Sequence, residues 1–174
     1  MNQSECFKEV PNLEIDSGDI EFLQSLEQKH IGDLKPVQKK NPDGTLRPVF
    51  YHYMDFYLRD ANSDYSTHKL FGKIATVFGK SAEYIYRKAH LALVPGALPY
   101  HIDERECALT IPFRELKQPI TWIDANGLWL DEYYYKNPVL VNTKIKHGCL
   151  NNTERRIMFQ ISFEDTFKEL SDLI

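Results

Sequence analysis

Cysteine is scarce in this sequence, with only Cys6, Cys107 and Cys149 in a chain of 174 residues. They form no Cys-x-x-Cys pair, and an odd number of cysteines cannot close a complete disulfide framework. Because disulfides are rare in reducing compartments, we expect free thiols and a cytoplasmic protein. The same spacing argues against a zinc knuckle.

Long apolar runs and blocks of basic residues are also missing. No stretch approaches the roughly 20 apolar residues of a membrane helix, and residues 1–12 lack the apolar centre of a signal peptide. The net charge is −4. Without a long basic block, binding to a nucleic-acid backbone or to a membrane is not expected.

What the sequence does contain is enough apolar material for a folded core. Hydrophobic residues make up 43% of the chain and aromatic residues 13%, which argues against disorder. The length fits one domain, 1–174. We divide it into helices, a flap and supporting strands (1–81), a β-rich core (82–163) and a terminal helix or tail (164–174).

Residues 1–81 show two helical patterns. Asp16 or Ser17 can cap a helix whose apolar stripe runs to Leu26. Apolar residues recur with helical spacing over Thr67–Phe78, and Gly79 is suited to end that helix.

The segment between these helices is rich in lysine, proline and tyrosine. Asn41–Gly44 is a strong turn signal. We predict that Lys35–Pro48 forms a hairpin tip or a flap over a binding site. The segment Val49–Arg59 is predicted to contain a strand, because tyrosine and phenylalanine dominate it.

From residue 82 the chain changes to short apolar runs separated by turn residues. This pattern favours an antiparallel sandwich or barrel. In the first run Tyr86, Lys88 and His90 would share one face of a strand. Glu164–Ile174 is predicted to form a terminal helix. The predicted strands are Tyr84–Val94, Cys107–Phe113, Ile120–Ile123, Leu128–Tyr133, Val139–Asn142 and Arg156–Phe163.

Two histidines and one aspartate stand out in this β-rich part. His101 and Asp103 are two residues apart, so at a strand end their side chains point to the same side. His147 precedes Gly148, which permits close approach of another backbone. Two imidazoles and one carboxylate can fill one face of a divalent metal, as in the facial triad of non-heme Fe(II) enzymes. The bland alternatives are a surface pair after a turn and an exposed histidine in a basic turn.

Arg156 begins a run whose two faces differ. Ile157 and every second residue as far as Phe163 are apolar, whereas the face of Arg156 and Gln160 is mixed, as expected for a polar cavity. A buried arginine needs a partner, and a carboxylate that accepts two hydrogen bonds is the natural one. The alternative is that Arg155 and Arg156 are both exposed.

The order His101-x-Asp103, His147 and Arg156 resembles the HxD…H…R motif of the Fe(II)/2-oxoglutarate-dependent dioxygenases. Over residues 82–163 the chain is similar to small prolyl-hydroxylase-like or aspartyl/asparaginyl-hydroxylase-like members from phages and bacteria. The interval between the two histidines is short for that superfamily, which implies a minimal barrel. The phrases that carry the resemblance are Pro99–Asp103, Leu109–Phe113, Pro119–Trp122 and Val141–Gly148.

The resemblance implies a mainly β fold, a double-stranded β-helix (jelly roll, cupin-like) with a few flanking helices. It implies that His101, Asp103 and His147 bind Fe(II) as the catalytic group. Arg156 would pair with the distal carboxylate of the co-substrate 2-oxoglutarate. With O2, such an enzyme hydroxylates a C–H bond and releases succinate and CO2. Thr110 is a candidate second contact to 2-oxoglutarate, although a β-branched strand residue needs no such role.

The implied substrate is a small molecule or a peptide, with an amino-acid or peptidyl side chain favoured over a nucleobase, acted on by a monomer or homodimer. Arg105 would anchor substrate or pair with Glu104 or Glu106. One rival is a jelly-roll metal-binding or structural protein without oxygenase turnover, and another is a cupin-type isomerase. Arg156 discriminates between these readings, because neither rival needs an arginine that pairs with a dicarboxylate.

Overall fold

Two antiparallel sheets form the framework of the protein, in a computed structural model that describes residues 5–46, 48–56 and 64–174. The strands are β1 (Phe7–Glu9), β2 (Lys35–Pro36), β3 (His52–Asp55), β4 (Ala89–Val94), β5 (Leu98–His101), β6 (Cys107–Pro112), β7 (Ile120–Ile123), β8 (Trp129–Tyr133), β9 (Val139–Asn142), β10 (His147–Cys149) and β11 (Arg156–Phe163). The large sheet has the order β1-β9-β6-β11-β4-β3-β2, and the small sheet β5-β10-β7-β8. Both sheets line one cavity. The predicted mainly β jelly-roll fold is therefore confirmed.

Helices cover the face of the large sheet that turns away from the cavity. The apolar face predicted for β11 is the one that packs on them. Phe159 of this strand is fully buried, with its ring 6.0 Å from that of Phe71 and 5.8 Å from that of Phe56. The helices of the described residues are α1 (Ser17–His30), α2 (Lys69–Phe78), α3 (Ala82–Lys88) and α4 (Phe167–Ser171).

The first two helix predictions are confirmed. Asp16 is the residue that caps α1, because its carboxylate accepts from the backbone N–H of Asp19 at 3.0 Å. Asp19 returns a hydrogen bond to the backbone N–H of Asp16 at 3.1 Å. Helix α2 ends at Gly79, whose φ of 61° lies in the left-handed region that glycine adopts without strain.

The predicted strand Tyr84–Val94 is wrong over its first half, where the chain forms α3 before β4 begins. Ser81 Oγ accepts from the backbone N–H of Tyr84 at 3.1 Å and caps this helix. Glu83 pairs with Arg87 one turn later at 2.7 Å. These local contacts outweigh the strand preference of a tyrosine-rich segment.

The expected shared strand face of Tyr86, Lys88 and His90 is wrong for the same reason. Tyr86 is buried against α2, with its ring 5.4 Å from that of Phe71. His90 of β4 does face the cavity, and Lys88 reaches it from the end of α3.

The described part of Lys35–Pro48 contains the pairing of a hairpin. Strand β2 pairs with β3, and Lys40 forms an isolated bridge with Leu46. Gly44 in the turn has a φ of 84°. Its role as a flap stays a prediction. Strand β3 lies within Val49–Arg59, of which residues 57–59 are outside the described part of the chain.

The other predicted strands correspond to β6, β7, β8, β9 and β11, each to within about one residue. The terminal helix is shorter than predicted, since α4 covers only the middle of Glu164–Ile174. The boundary at residue 82 stays a prediction. Within the described residues, no helix is both long and apolar enough to cross a membrane.

The small sheet contains β5 and β10, which the sequence did not predict as strands. Trp122 of β7 is completely buried beneath this sheet, and its ring stacks on that of Phe7 with centroids 5.5 Å apart. The strand register places Trp122 directly opposite His147 of β10. Trp129 on the edge strand β8 is instead 62% exposed.

Candidate metal centre

His101, Asp103 and His147 converge on one side of the cavity. Each offers one ligand atom, and these atoms lie within 4.8 Å of one another. His101 Nε2 is 3.4 Å from Asp103 Oδ1, and His147 Nε2 is 4.0 Å from Asp103 Oδ2. Nitrogen and oxygen ligands bind a divalent transition metal at about 2.1 Å. The three side chains could therefore surround one such ion.

Both imidazoles are oriented by a backbone carbonyl two residues earlier. His101 Nδ1 lies 2.8 Å from the oxygen of Pro99, and His147 Nδ1 lies 2.8 Å from the oxygen of Ile145. A carbonyl oxygen can only accept, so each Nδ1 carries a proton. In the neutral rings each Nε2 then keeps its lone pair for a metal.

The pairing of β5 with β10 brings the two histidines together. His101 lies opposite His147, and their ring centroids are 4.5 Å apart. A Cβ atom on Gly148 would lie 2.8 Å from the carbonyl oxygen of Leu98 and 2.9 Å from Tyr100 Cα. Only glycine permits this approach, as its position beside His147 led us to expect.

Asp103 follows β5 and is fixed by two contacts. Its backbone N–H donates to the oxygen of Thr143 at 3.1 Å, and Arg105 Nε donates to its Oδ2 at 2.8 Å. The ion pair that we expected between Arg105 and Glu104 or Glu106 is therefore replaced by one with Asp103. Two intervening residues in a bend bring the guanidinium back to this carboxylate.

Arg105 also connects Asp103 to the large sheet. Its Nη1 donates to Ser162 Oγ at 3.0 Å and to His90 Nε2 at 3.2 Å, and Gln160 Oε1 accepts at 3.4 Å. His90 Nδ1 lies 3.3 Å from the oxygen of Lys88, which places the proton of His90 on Nδ1. The carboxylate of the candidate metal site is thus positioned by strands β4 and β11.

The electrostatics of the three residues favour a cation. Burial and the neighbouring His101 lower the pKa of His147 to about 4, so its ring is neutral near pH 7. Burial opposes charge on His101 as well, but hydrogen bonding to Asp103 outweighs it and raises the pKa of His101. Burial would also raise the pKa of Asp103, yet contacts with His101, Arg105 and His147 hold it well below its usual range. Asp103 is therefore ionised.

Arg156 begins β11 and is 2% exposed. Its Nη2 donates to the backbone oxygen of Gln118 and, at 3.3 Å, to that of Pro119. Its Nε is buried without an acceptor, a state that costs roughly 1–3 kcal/mol. Arg155 is exposed, so the alternative in which both arginines face solvent is wrong. The unsatisfied Nε fits a site for an anion.

Thr110 and Tyr135 lie in the same buried region as Arg156. Thr110 is fully buried on β6, and its Oγ1 accepts from Gln160 Nε2 at 3.0 Å. Burial raises the pKa of Tyr135 to about 12, although Arg156 and Thr110 both act to lower it. The phenol is therefore protonated. Tyr135 lies between two predicted strands, and nothing in the local sequence pointed to it.

One cavity of about 540 Å³ connects these groups, a volume typical of small-molecule sites. Its wall includes the three candidate ligands, together with Met158, Gln160 and Ser162 of β11. The mixed face of this strand therefore lines a cavity, as predicted. Arg156 and Thr110 are not part of the wall itself and lie behind Tyr135, which is.

Several solved structures share this fold at low sequence identity. The non-heme α-ketoglutarate-dependent epimerase SnoN of nogalamycin biosynthesis aligns with a TM-score of 0.56 and 11% identity, over 88% of this chain and 76% of that chain. HygX from Streptomyces hygroscopicus, solved with nickel and 2-oxoglutarate, gives 0.53 and 11%, over 92% and 83%. A prolyl-4-hydroxylase from Pseudomonas putida gives 0.53 and 15%, over 91% and 92%. These likenesses establish the fold, whereas activity must be argued from the site.

No protein-family model matches the chain, and no curated protein matches it in sequence.

Proposed function

We propose that this protein is an Fe(II)- and 2-oxoglutarate-dependent dioxygenase. It hydroxylates a C–H bond of an amino-acid or peptidyl substrate and belongs to the prolyl-hydroxylase-like or aspartyl/asparaginyl-hydroxylase-like group. The observation that carries the proposal is the pairing of two features around one cavity. One is a His-Asp-His donor set with both Nε2 atoms free, and the other is a buried arginine with an unsatisfied Nε.

His101, Asp103 and His147 would hold Fe(II) in this reading. Two neutral nitrogens and one carboxylate on one side of the ion are the donor set of the facial triad, which leaves positions open for other ligands. When bound, Fe(II) with 2-oxoglutarate and O2 supplies the oxidant for C–H cleavage, and the by-products are succinate and CO2. The protein's part is to orient both imidazoles, keep Asp103 ionised and limit the access of water.

Arg156 would receive the distal carboxylate of 2-oxoglutarate. Its Nε lacks an acceptor, and its Nη2 could exchange the carbonyl of Gln118 for a carboxylate oxygen, which binds a guanidinium more strongly. Thr110 accepts from Gln160 and therefore has its own hydroxyl proton to donate. The neutral phenol of Tyr135 stands between these residues and the cavity and can donate to the same carboxylate.

Arg156 also separates this proposal from its rivals. A cupin-type isomerase or a metal-storing jelly roll uses the metal ligands but has no need for a desolvated guanidinium behind them. Leaving an N–H unsatisfied lowers stability, and such a cost is retained where a ligand makes use of it. A small-molecule or peptide substrate and a monomer or homodimer complete the proposal, with the Lys35–Pro48 hairpin as a flap.

The test is the conversion of 2-oxoglutarate. We expect purified protein with Fe(II) and O2 to form succinate, detected by mass spectrometry, with faster formation when free amino acids or peptides are added. His101→Ala should abolish this activity, and Lys168→Ala, an exposed change outside the cavity, should retain it. The proposal is lost if 2-oxoglutarate is neither consumed nor bound by iron-loaded protein that is folded.

A further inference from the structure

The outer part of the cavity contains a carboxylate that nothing in the described chain neutralises directly. Tyr51 precedes β3, and Tyr53 and Asp55 lie within it. All three line the cavity, because alternate residues along a strand share a face. The carboxylate of Asp55 accepts no hydrogen bond from the described residues. Burial raises its pKa, opposed by Lys88.

The cations around Asp55 are already committed to other carboxylates. Lys88 Nζ lies 2.5 Å from Glu164 Oε1, and Arg105 Nε lies 2.8 Å from Asp103 Oδ2. A half-buried acid without its own counter-ion is unfavourable unless a ligand supplies the positive charge. The unmatched charge on this wall of the cavity is therefore negative.

Tyrosine rings flank the position of the carboxylate along β3. The ring of Tyr53 meets that of His90 edge-on, with centroids 6.2 Å apart, and is thereby held at the cavity wall. Tyr51 is half-buried near Asp103, which acts to raise the pKa of its phenol. Aromatic faces beside a carboxylate are a favourable environment for an ammonium group.

The strand register links Asp55 to the candidate metal ligands. Asp55 lies opposite His90, His90 accepts from Arg105, and Arg105 holds Asp103. A ligand group bound at Asp55 therefore lies on the same side of the cavity as the carboxylate ligand. A molecule of modest length could occupy both places.

We propose that the substrate carries a primary ammonium group that binds Asp55 between Tyr51 and Tyr53. The inference rests on the proposed function for its chemistry and adds the class of substrate, an amine-bearing molecule. Binding through Asp55 leaves the carbon atoms beyond the amine to face His101 and Asp103. An acidic substrate is disfavoured, since Glu104 adds a further negative charge at the rim.

The test uses metal-free protein and matched small molecules, so that it does not depend on turnover. Benzylamine, benzyl alcohol and benzoate are compared by saturation-transfer NMR titration. We expect benzylamine to bind about tenfold more tightly than the other two. Asp55→Asn should remove this preference, and Glu104→Gln, which neutralises an exposed acid at the same rim, should preserve it. Asp55→Ser replaces Asp55→Asn if the amide variant does not fold.

Equal binding of the three compounds, tighter binding of benzoate, or an amine preference that survives in Asp55→Asn would each overturn the inference. Adding Mn(II) separates it from the proposed function. If Mn(II) binds and broadens the ring signals of benzylamine, the amine lies beside the metal centre as proposed. Bound Mn(II) without broadening refutes that placement. Failure of Mn(II) to bind counts against the metal centre and leaves the amine preference to be judged by the titration alone.

Discussion

The two sheets contribute different parts of the site. The small sheet supplies His101 and His147 from β5 and β10, short strands whose pairing is interrupted by a register shift. The large sheet supplies Arg156 and Thr110 from long, continuously paired strands. Metal binding and anion binding therefore have separate supports, and damage to one need not abolish the other.

Asp103 is the link between the sheets. It follows β5 of the small sheet, yet Arg105 ties its carboxylate to Ser162 and His90 of the large sheet. The comparison thus predicts three kinds of variant: those that affect metal only, those that affect the anion only, and those that act through the link or the framework.

The largest effect is expected at this link. Asp103→Ala removes the only anionic ligand of the donor set, so Mn(II) or Fe(II) affinity should fall by at least about 100-fold. Metal titration by isothermal calorimetry measures this fall. Glu104→Ala, an exposed neighbouring acid, is the matched control and should change the affinity less than about twofold. Unchanged metal affinity in Asp103→Ala would remove the metal centre from consideration.

The next effect separates the large sheet from the small one. Arg156→Met should weaken binding of the inert analogue N-oxalylglycine to Mn(II)-loaded protein by about 100-fold, because charge-assisted hydrogen bonds are lost. Metal affinity should stay within about twofold. Arg155→Met changes the exposed neighbour and should leave both affinities intact. Parallel loss of metal and analogue binding in Arg156→Met would indicate that the two sheets do not act separately.

Acid should destabilise the large sheet through His90. Burial and Arg105 lower the pKa of His90 to about 4 from the ordinary 6.5. The unfolded chain therefore takes up a proton that the folded protein excludes. The stability contributed by neutral His90 is present above pH 6.5 and is lost as the pH falls toward 4. Urea unfolding across this range should show a loss about 2 kcal/mol smaller in His90→Gln than in the unchanged protein. Identical losses would contradict this account.

The smallest effect is expected from a single methyl group in the small sheet. Gly148→Ala places a Cβ against the backbone of Leu98 and Tyr100, so β10 must move away from β5. We expect metal affinity to fall about tenfold and the free energy of unfolding to decrease by about 1–3 kcal/mol. Gly72→Ala in α2 meets no atom within 4 Å and should be neutral or stabilising. Equal behaviour of the two variants would show that the close approach is not needed.

The same contrast explains how much could be predicted from the sequence. The paired core strands of the large sheet, such as β6 and β11, contain alternating or wholly apolar runs of six to eight residues, and these signals are local. Strand β10 has three residues, one of them Gly148, and β5 contains Pro99. They are strands only because they pair with each other and with β7, and such long-range pairing is absent from any local pattern.

The site residues divide in a similar way. The spacing of His101 and Asp103 and the alternation after Arg156 could be read directly, and the fold places the two groups around one cavity. The partner of Arg105 and the position of Tyr135 depend on loop paths that sequence periodicity does not encode. Segment α3 was misread because a serine cap and an ion pair decided its structure against residue preference.

The unequal burial of the two tryptophans gives the protein its own optical reporter. Trp122 lies opposite His147 and is sealed from water, whereas Trp129 is largely in solvent. Their emission should therefore differ in colour, with the blue component arising beside the metal centre. A quenching ion such as Co(II) should dim that component and spare the red one. Occupancy of the site could then be followed in real time without any label.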